Sequence, residues 1–422
     1  MMEPLYRKIS LRLIPVLFIC YILAYLDRVN VGFAKLSMGN ELWFSDEVFA
    51  LGSGIFFIGY FLFEVPANLL MQRLGARLWM TRIMITWGIC SALCALSSDP
   101  AHFYFFRFLL GLAEAGFFPG VILYLTYWYP QYYRARMVAL FMSAIALAGI
   151  VGSPVSGYIL SAMQDYGSLK PWQWLFIMEG IPSVLFGLAL PWLLTDGPKK
   201  ASWLTDQEKK SVLDRLELEQ SQSKAKVHSV GAALRSPEVW FLALVYFSIT
   251  LGLYGISFWL PQILKSSVTT DPFLIGLLAA IPWICAAAGM YAYGRHSDLK
   301  QERRYHLLFV AVLGMLSFVG AGIFMESALV LMICISLATT AVMCSMAVFW
   351  PLPSALLSGV GAAAGIAWIN SIGNLAGYIS PELFVWLRNV YSGNAALIAI
   401  GMTMMVGGLI SFVLLRPSRF NR

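Results

Sequence analysis

Charged side chains are scarce in this sequence. Asp, Glu, Lys and Arg together supply 12% of its 422 residues, against 59% hydrophobic, too little to wet the surface of a soluble globule of this size. Long polar stretches are missing too, with one substantial exception at residues 195–236. The six cysteines (Cys20, Cys90, Cys94, Cys285, Cys334, Cys344) lie in apolar segments, with neither metal-ligand spacing nor the pattern of a secreted disulfide framework, and read as small packing residues. The four histidines (His102, His228, His296, His306) fall in loops or at helix ends, so none reads as a buried proton relay. No nucleophile with its base, metal cluster or phosphate-binding glycine loop is visible, so an enzymatic role, a cofactor and a metal are all unsupported.

What remains is apolar sequence in runs of about 20 residues, the length needed to cross a bilayer. Twelve such runs can be counted. They predict an all-α polytopic membrane protein with a six-helix bundle in residues 1–194, a linker at 195–236 and a second six-helix bundle in 237–422. The first run begins near Leu11 and is long enough to remain as a spanning helix, so no cleaved signal is expected. Most of the 29 Lys and Arg residues fall in alternate loops, with Lys35, Lys170, Lys265 and Arg388 on the other side. By the positive-inside rule both termini are expected in the cytoplasm. The basic excess therefore orients the chain and gives no support to nucleic-acid binding. Within the linker, Thr205-Asp-Gln-Glu208 has the spacing of a capping box, and Val212, Leu213 and Leu216 give the helix that follows an apolar side. This helix is expected on the inner membrane surface.

A few charges interrupt the apolar runs. Each costs several kcal/mol or more in hydrocarbon unless a partner or a water-filled cavity receives it. Arg107 and Glu114 stand in Tyr104–Gly120, nearly two helical turns and roughly 10 Å apart, with Gly111 between them leaving room for a neighbouring helix or a small ligand. In helix 1, Tyr25-Leu-Asp-Arg-Val-Asn30 brings Asp27 and Arg28 together. Counting the helical rise from each end puts Asp27 and Arg107 at similar depth, so an Asp27–Arg107 ion pair is geometrically open. Tyr21, Tyr25 and Arg28 share one arc and suit a cavity wall. Helix 2 carries Tyr60 and Glu64, helix 7 carries Tyr246, Tyr254, Ser257 and Trp259, and Asn370 and Asn374 lie one turn apart in helix 11. These groups together indicate a transport site for an anion.

The loop Asn68-Leu-Leu-Met-Gln72-Arg73-Leu-Gly75-Ala-Arg77 has a counterpart six helices later in Gly294-Arg-His-Ser-Asp298-Leu-Lys300-Gln-Glu302-Arg303-Arg304, an internal repeat. Both resemble the signature loops of the major facilitator superfamily. The resemblance implies that Arg73, Gly75, Arg77, Gly294, Asp298 and Arg303 serve cytoplasmic gating, the glycines by allowing close helix approach. Asn68 and Gln72 replace the usual glycine and acid of the first copy, and Glu64 or Glu179 could substitute in the lock. Ser153 before Pro154, where drug antiporters of the superfamily favour glycine, weighs against the antiporter reading.

Tyr25-Leu-Asp27-Arg28-Val-Asn30, the Arg107–Gly120 stretch, Trp174-Leu-Phe-Ile-Met-Glu179-Gly-Ile-Pro182, Phe349-Trp350-Pro-Leu-Pro353 and Asn370-Ser-Ile-Gly-Asn374 together resemble the anion:cation symporter family of that superfamily, which includes tartrate, phthalate and sugar-acid permeases. This resemblance implies twelve helices in the major facilitator fold, alternating access, and proton coupling through Asp27 and Glu114. Arg28, Arg107, Tyr25, Tyr60, Tyr254, Asn370 and Asn374 would bind the substrate, and apolar Ile145 stands where some sugar-acid carriers supply a glutamine. The implied activity is import of a small tartrate- or aldonate-like carboxylate with protons, by a monomer in a bacterial inner membrane. An organic-anion exchanger or efflux carrier and a transporter-like nutrient sensor are the alternatives.

Overall fold

The computed structural model describes residues 3–223, 235–356 and 360–415. No strand occurs among them. The first six crossings are α1 (Pro4–Met38), α2 (Asp46–Leu74), α3 (Ala76–Leu93), the pair α4 (Pro100–Glu114) and α5 (Phe117–Thr126), the pair α6 (Gln131–Met142) and α7 (Ala144–Ala162), and α8 (Pro171–Leu193). A polar-segment helix, α9 (Asp206–Ser223), follows. The last six are α10 (Pro237–Ser267), α11 (Pro272–Lys300), α12 (Arg304–Ile323), the pair α13 (Ala328–Phe349) and α14 (Pro351–Leu356), the pair α15 (Val360–Asn374) and α16 (Ala376–Val390), and α17 (Gly393–Leu414). Eleven of these crossings are long and apolar enough to span a membrane, and the crossing built from α15 and α16 is the twelfth. An even number of crossings leaves both ends on one side, here called the terminus face.

The helices begin where the sequence supplies an acceptor for their unpaired N–H groups. Ser45 accepts from the Val48 amide at 3.2 Å, Asp99 from that of His102 at 3.0 Å and Asp271 from that of Phe273 at 2.9 Å. Large apolar side chains such as Leu185, Leu188, Leu316 and Leu329 stay more than half exposed on the outer surface, as a lipid-facing surface requires. The polar exceptions are turned inward: Asp27, Glu64, Arg107 and Glu114 are completely buried.

Two breaks place polar residues. Crossing 4 is interrupted at Gly116, whose φ of 82° lies in the left-handed region that a residue with a Cβ rarely adopts, and Glu114 is the last residue of α4 before that break. Crossing 11 is interrupted at Leu375, directly after Asn374. Helix α1 runs further than its apolar stretch at both ends. Tyr6 packs against Tyr133 near the terminus face, and Lys35 pairs with Asp46 at 2.5 Å near the opposite face.

The capping box in the linker forms, with the Thr205 amide donating to Glu208 at 2.8 Å and the Glu208 amide donating to the Thr205 hydroxyl at 3.2 Å. Helix α9 is clamped to the protein. Lys8 pairs with Glu208, Arg215 with Glu3 and Arg134 with Glu219, while Val212 is fully buried. Residues 224–234 of the linker lie outside the described residues.

The first and last six crossings touch closely near the opposite face. There Asp46 pairs with both Lys35 and Arg388, Asn389 donates to Glu47 at 3.1 Å, and the Lys265 ammonium donates to the Leu36 carbonyl at 3.0 Å.

Candidate functional site

A narrow cavity lies among α1, α2, α10 and α15, walled by Tyr21, Tyr25, Arg28, Tyr60, Tyr246, Tyr254, Asn370 and Asn374, with Phe118, Ile145, Leu253 and Met346 closing its apolar sides. Six of the seven substrate residues expected from the sequence therefore meet in one place. Arg107 does not line the cavity.

Arg28 is the hub. One guanidinium nitrogen donates to Glu114, and another donates at 3.0 Å to the Tyr254 hydroxyl. That hydroxyl donates in turn to the Asn374 amide oxygen at 2.8 Å, and the Asn374 amide nitrogen donates to the Asn370 carbonyl at 3.0 Å. The Asn370 amide nitrogen reaches back to Glu64 on α2 at 2.7 Å, and the Ser371 hydroxyl donates to the other Glu64 oxygen. A line of hydrogen bonds thus leaves the first six crossings at Arg28, enters the last six, and returns at Glu64. Tyr25 makes a further link. Because the Ser257 hydroxyl donates to the Leu253 carbonyl at 2.7 Å, its oxygen is left to accept from Tyr25 at 2.7 Å.

Arg107 sits behind this wall, against the Phe56 ring that Arg28 also faces, with guanidinium carbons 5.4 and 5.5 Å from its centroid. It donates only to main-chain carbonyls, Gly52 and Arg28, each at 3.2 Å, and makes no ion pair among the described residues. One of its terminal nitrogens, the Arg28 Nε and one Glu114 oxygen are buried without a hydrogen-bond partner. Such groups are costly unless something binds them. Gly111 allows this arrangement, since a Cβ there would stand 1.9 Å from the Phe56 carbonyl oxygen. The room beside the charges is therefore used by α2.

The Asp27–Arg107 ion pair is not formed. Asp27 faces away from the cavity and accepts from Ser91 on α3 at 2.6 Å and from Ser183 on α8 at 2.5 Å. Equal depth did not decide the matter, because the two side chains leave their helices in different directions. Both acids considered as substitutes in the cytoplasmic lock are buried among the helices. Glu64 accepts from the Asn370 amide and the Ser371 hydroxyl of crossing 11, and Glu179 accepts from Ser156 at 2.6 Å inside the first six crossings.

At the loops, Arg73 is exposed, and Gly75 turns the chain with a φ of 89°. The Arg77 amide donates to Asp196 at 3.0 Å, an acid sequence reasoning had not connected with this loop. Partial burial pushes the Asp196 carboxyl up, but the Arg77 amide and Lys200 outweigh this and hold it below the usual range. In the second copy Arg303 pairs with Asp298 and donates to Ser297 at 3.1 Å. Gly294 is not a point of close helix approach, since a Cβ there would meet Ala347 at an ordinary 3.6 Å. The side chain of Gln72 lies outside the described residues.

Twelve crossings around a narrow cavity lined by arginine, tyrosine and asparagine side chains have the architecture of a membrane transporter. The chain belongs to the major facilitator superfamily: that family's profile matches residues 17–381. It is therefore a transport protein and not an enzyme. It is 42% identical over 419 residues to a protein of Agrobacterium vitis named "Putative tartrate transporter", covering 98% of this chain and 95% of the relative. It is 39% identical over 414 residues to a quinolone resistance transporter of Acinetobacter baumannii, covering 96% and 94%. The fold matches the xylose transporter XylE from E. coli in a partially occluded inward open conformation with a TM-score of 0.75, at 15% identity over 97% of this chain and 98% of that one.

Proposed function

We propose that this protein imports a small organic carboxylate, tartrate- or aldonate-like, together with protons, in a bacterial inner membrane with both termini in the cytoplasm. Residues 1–194 and 237–422 would rock as two bundles about the cavity, joined by 195–236. The observation that carries the proposal is the pair of buried guanidiniums. Among the described residues Arg107 has no carboxylate partner, and Arg28 lines the cavity while sharing its charge with Glu114. A carboxylate matches a guanidinium in charge and in bidentate geometry.

Coupling follows from competition for Arg28. While Glu114 is ionised it holds the guanidinium; once protonated it releases Arg28 to a substrate carboxylate. Proton and anion then favour each other's binding, and by reciprocity the anion favours protonation. Asp27 is the second proton-coupling group, with serine hydroxyls in place of a cation. Tyr25, Tyr60, Tyr254, Asn370 and Asn374 orient the hydroxyls of the solute. Arg73, Gly75, Arg77, Gly294, Asp298 and Arg303 belong to loops that exchange partners as the terminus face opens. A potential negative inside opposes anion entry by about 2.3 kcal/mol per charge per 100 mV, so accumulation needs co-transported protons.

Efflux or exchange of an organic anion is the second reading, and the Acinetobacter baumannii relative, named for quinolone resistance, keeps an outward direction in play. One experiment separates the two. Lightly buffered, energy-depleted cells expressing the protein receive tartrate, aldonates, hexuronates and aromatic carboxylates in turn while external pH is followed. Symport predicts alkalinisation with one class, abolished by Glu114→Gln or Asp27→Asn. Accumulation or counterflow of a labelled carboxylate with no pH change would remove the proton roles of both acids.

A further inference from the structure

A second cavity lies between Tyr25 and the opposite face, and the Tyr25–Ser257 hydrogen bond stands between it and the first. Its wall includes Asn30 and Val29 from α1, Ser153 and Ser156 from α7, and Trp283 from α11. Asn30 is 1% exposed, and both its amide oxygen and its amide nitrogen lack a partner. Behind Ser156 stands Glu179, 5% exposed. One of its oxygens accepts from Ser156 and the other has no partner.

These residues are in register with Asp27. On α1, Asn30 is one turn from Asp27 toward the opposite face. On α8, which runs the other way, Glu179 is one turn from Ser183 in that same direction. Ser183 donates to Asp27, so the next rung outward is the Asn30–Glu179 level. Ser156 hydrogen-bonds to Glu179, Asp27 acts on it as a like charge, and the Asn30 amide faces it without closing a hydrogen bond, so a water between the two has groups to meet on both sides; no ion pair reaches Glu179 among the described residues. The unpartnered atoms comprise one donor and two acceptors. Water can satisfy both kinds, whereas a metal cation would leave the Asn30 N–H groups unmet.

Building on the proton-symport reading, we propose that Asn30 and Glu179 form a water-holding proton relay, through which protons entering at the opposite face reach Asp27. Hydronium formed where the cavity meets the opposite face gives up its proton, which passes through water held at Asn30 to the free Glu179 oxygen, and is left as water. The proton passes on as the Ser183 hydroxyl gives its own proton to Asp27 and regains one from the Glu179 side, by way of water. One proton enters, one arrives at Asp27, and Glu179 ends ionised as it began.

The test uses the full chain in proteoliposomes containing a pH-sensitive dye, with tartrate as substrate. Wild type should take up protons with tartrate; if it transports tartrate without them, the symport reading itself fails. Where wild type does couple, Glu179→Gln keeps the hydrogen bond from Ser156 but carries no exchangeable acid proton. It should slow proton-coupled uptake at least tenfold while tartrate counterflow stays within twofold, and Glu179→Asp should restore coupling. Asn30→Leu, which removes the water site and leaves the Glu179 carboxyl in place, should slow coupled uptake in the same way. Normal coupled uptake in Glu179→Gln would overturn the relay, as would equal loss of counterflow and uptake in both Glu179 variants. Sodium stimulation of wild-type uptake at fixed pH, lost in Glu179→Gln, would overturn it in favour of a metal-cation site.

Discussion

Arg28 illustrates what a single residue contributes to this site. Its planar fork serves Glu114 and Tyr254 at once while its flat face lies over Phe56 and Tyr60. A lysine carries the same charge but cannot hold two partners in that fixed geometry. Arg28→Lys should therefore lose one charge-assisted hydrogen bond, about 1.5–3 kcal/mol, seen as a roughly 10- to 100-fold rise in the concentration of carboxylate needed for half-maximal uptake. Unchanged half-saturation would remove Arg28 from the substrate site. Arg28 and Glu114 were legible in the sequence because a charge inside an apolar run demands a reason. The partners of Asp27 were not, since Ser91 and Ser183 are ordinary residues for membrane helices and helical rise gives depth but not direction. Glu179 was noticed as an acid, but its place on the outer side of Asp27 emerges only when α1 and α8 are set side by side.

At the scale of elements, crossings α3 and α8 are held together by two glycines facing each other. A Cβ on Gly88 would stand 2.8 Å from the Gly180 carbonyl oxygen, and one on Gly180 would stand 2.7 Å from that of Gly88. Three residues beyond each glycine stand Ser91 and Ser183, so this close crossing delivers both hydroxyls to Asp27. Gly180→Ala should force the helices apart at a cost of about 1–3 kcal/mol and lower the melting temperature in detergent. Gly294→Ala, where the space is ordinary, should stay within about 0.5 kcal/mol of wild type. Equal melting of the two variants would mean that α3 and α8 adjust freely. The loop after α2 gives a pH prediction. Asp196 has a depressed folded value, so its contribution is present above the unfolded value of about 3.9 and disappears as pH falls through the folded one. Asp196→Asn should melt below wild type at neutral pH, and the difference should vanish in acid; a difference that persists there would assign the loss to packing. The spans of the crossings were readable from hydropathy. The break at Leu375 was not, because Asn370–Asn374 reads as continuous helix, and Gly373 and Gly377 on either side of the interruption suit close helix packing as well as they suit a break.

For the whole molecule, the two sides of the membrane are joined unequally. Near the opposite face, Asp46 is shared between Lys35 and Arg388, Asn389 reaches Glu47, and Lys265 reaches the end of α1. Lys35 also lies 3.8 Å above the ring of Trp259 on α10. Deeper in, the first and last six crossings meet through Glu64 with Asn370 and Ser371, and through Phe118 with Trp350. Asp46 is the anion common to two cations from different parts of the chain, so removing its charge leaves both unpaired and weakens closure of that face. Its side chain is 30% exposed, which limits each pair to about 1 kcal/mol; only the Arg388 pair joins the first and last six crossings, so the expected shift in the closed-to-open ratio is roughly fivefold. Spin labels at positions 47 and 389, which are adjacent in this arrangement, would read that ratio directly as a distance distribution. Introducing Asp46→Asn should move weight from the short distance to a longer one and slow uptake without changing the apparent affinity measured by counterflow. A distribution unchanged by Asp46→Asn would mean that helix packing, and not this cluster of charges, holds the opposite face shut.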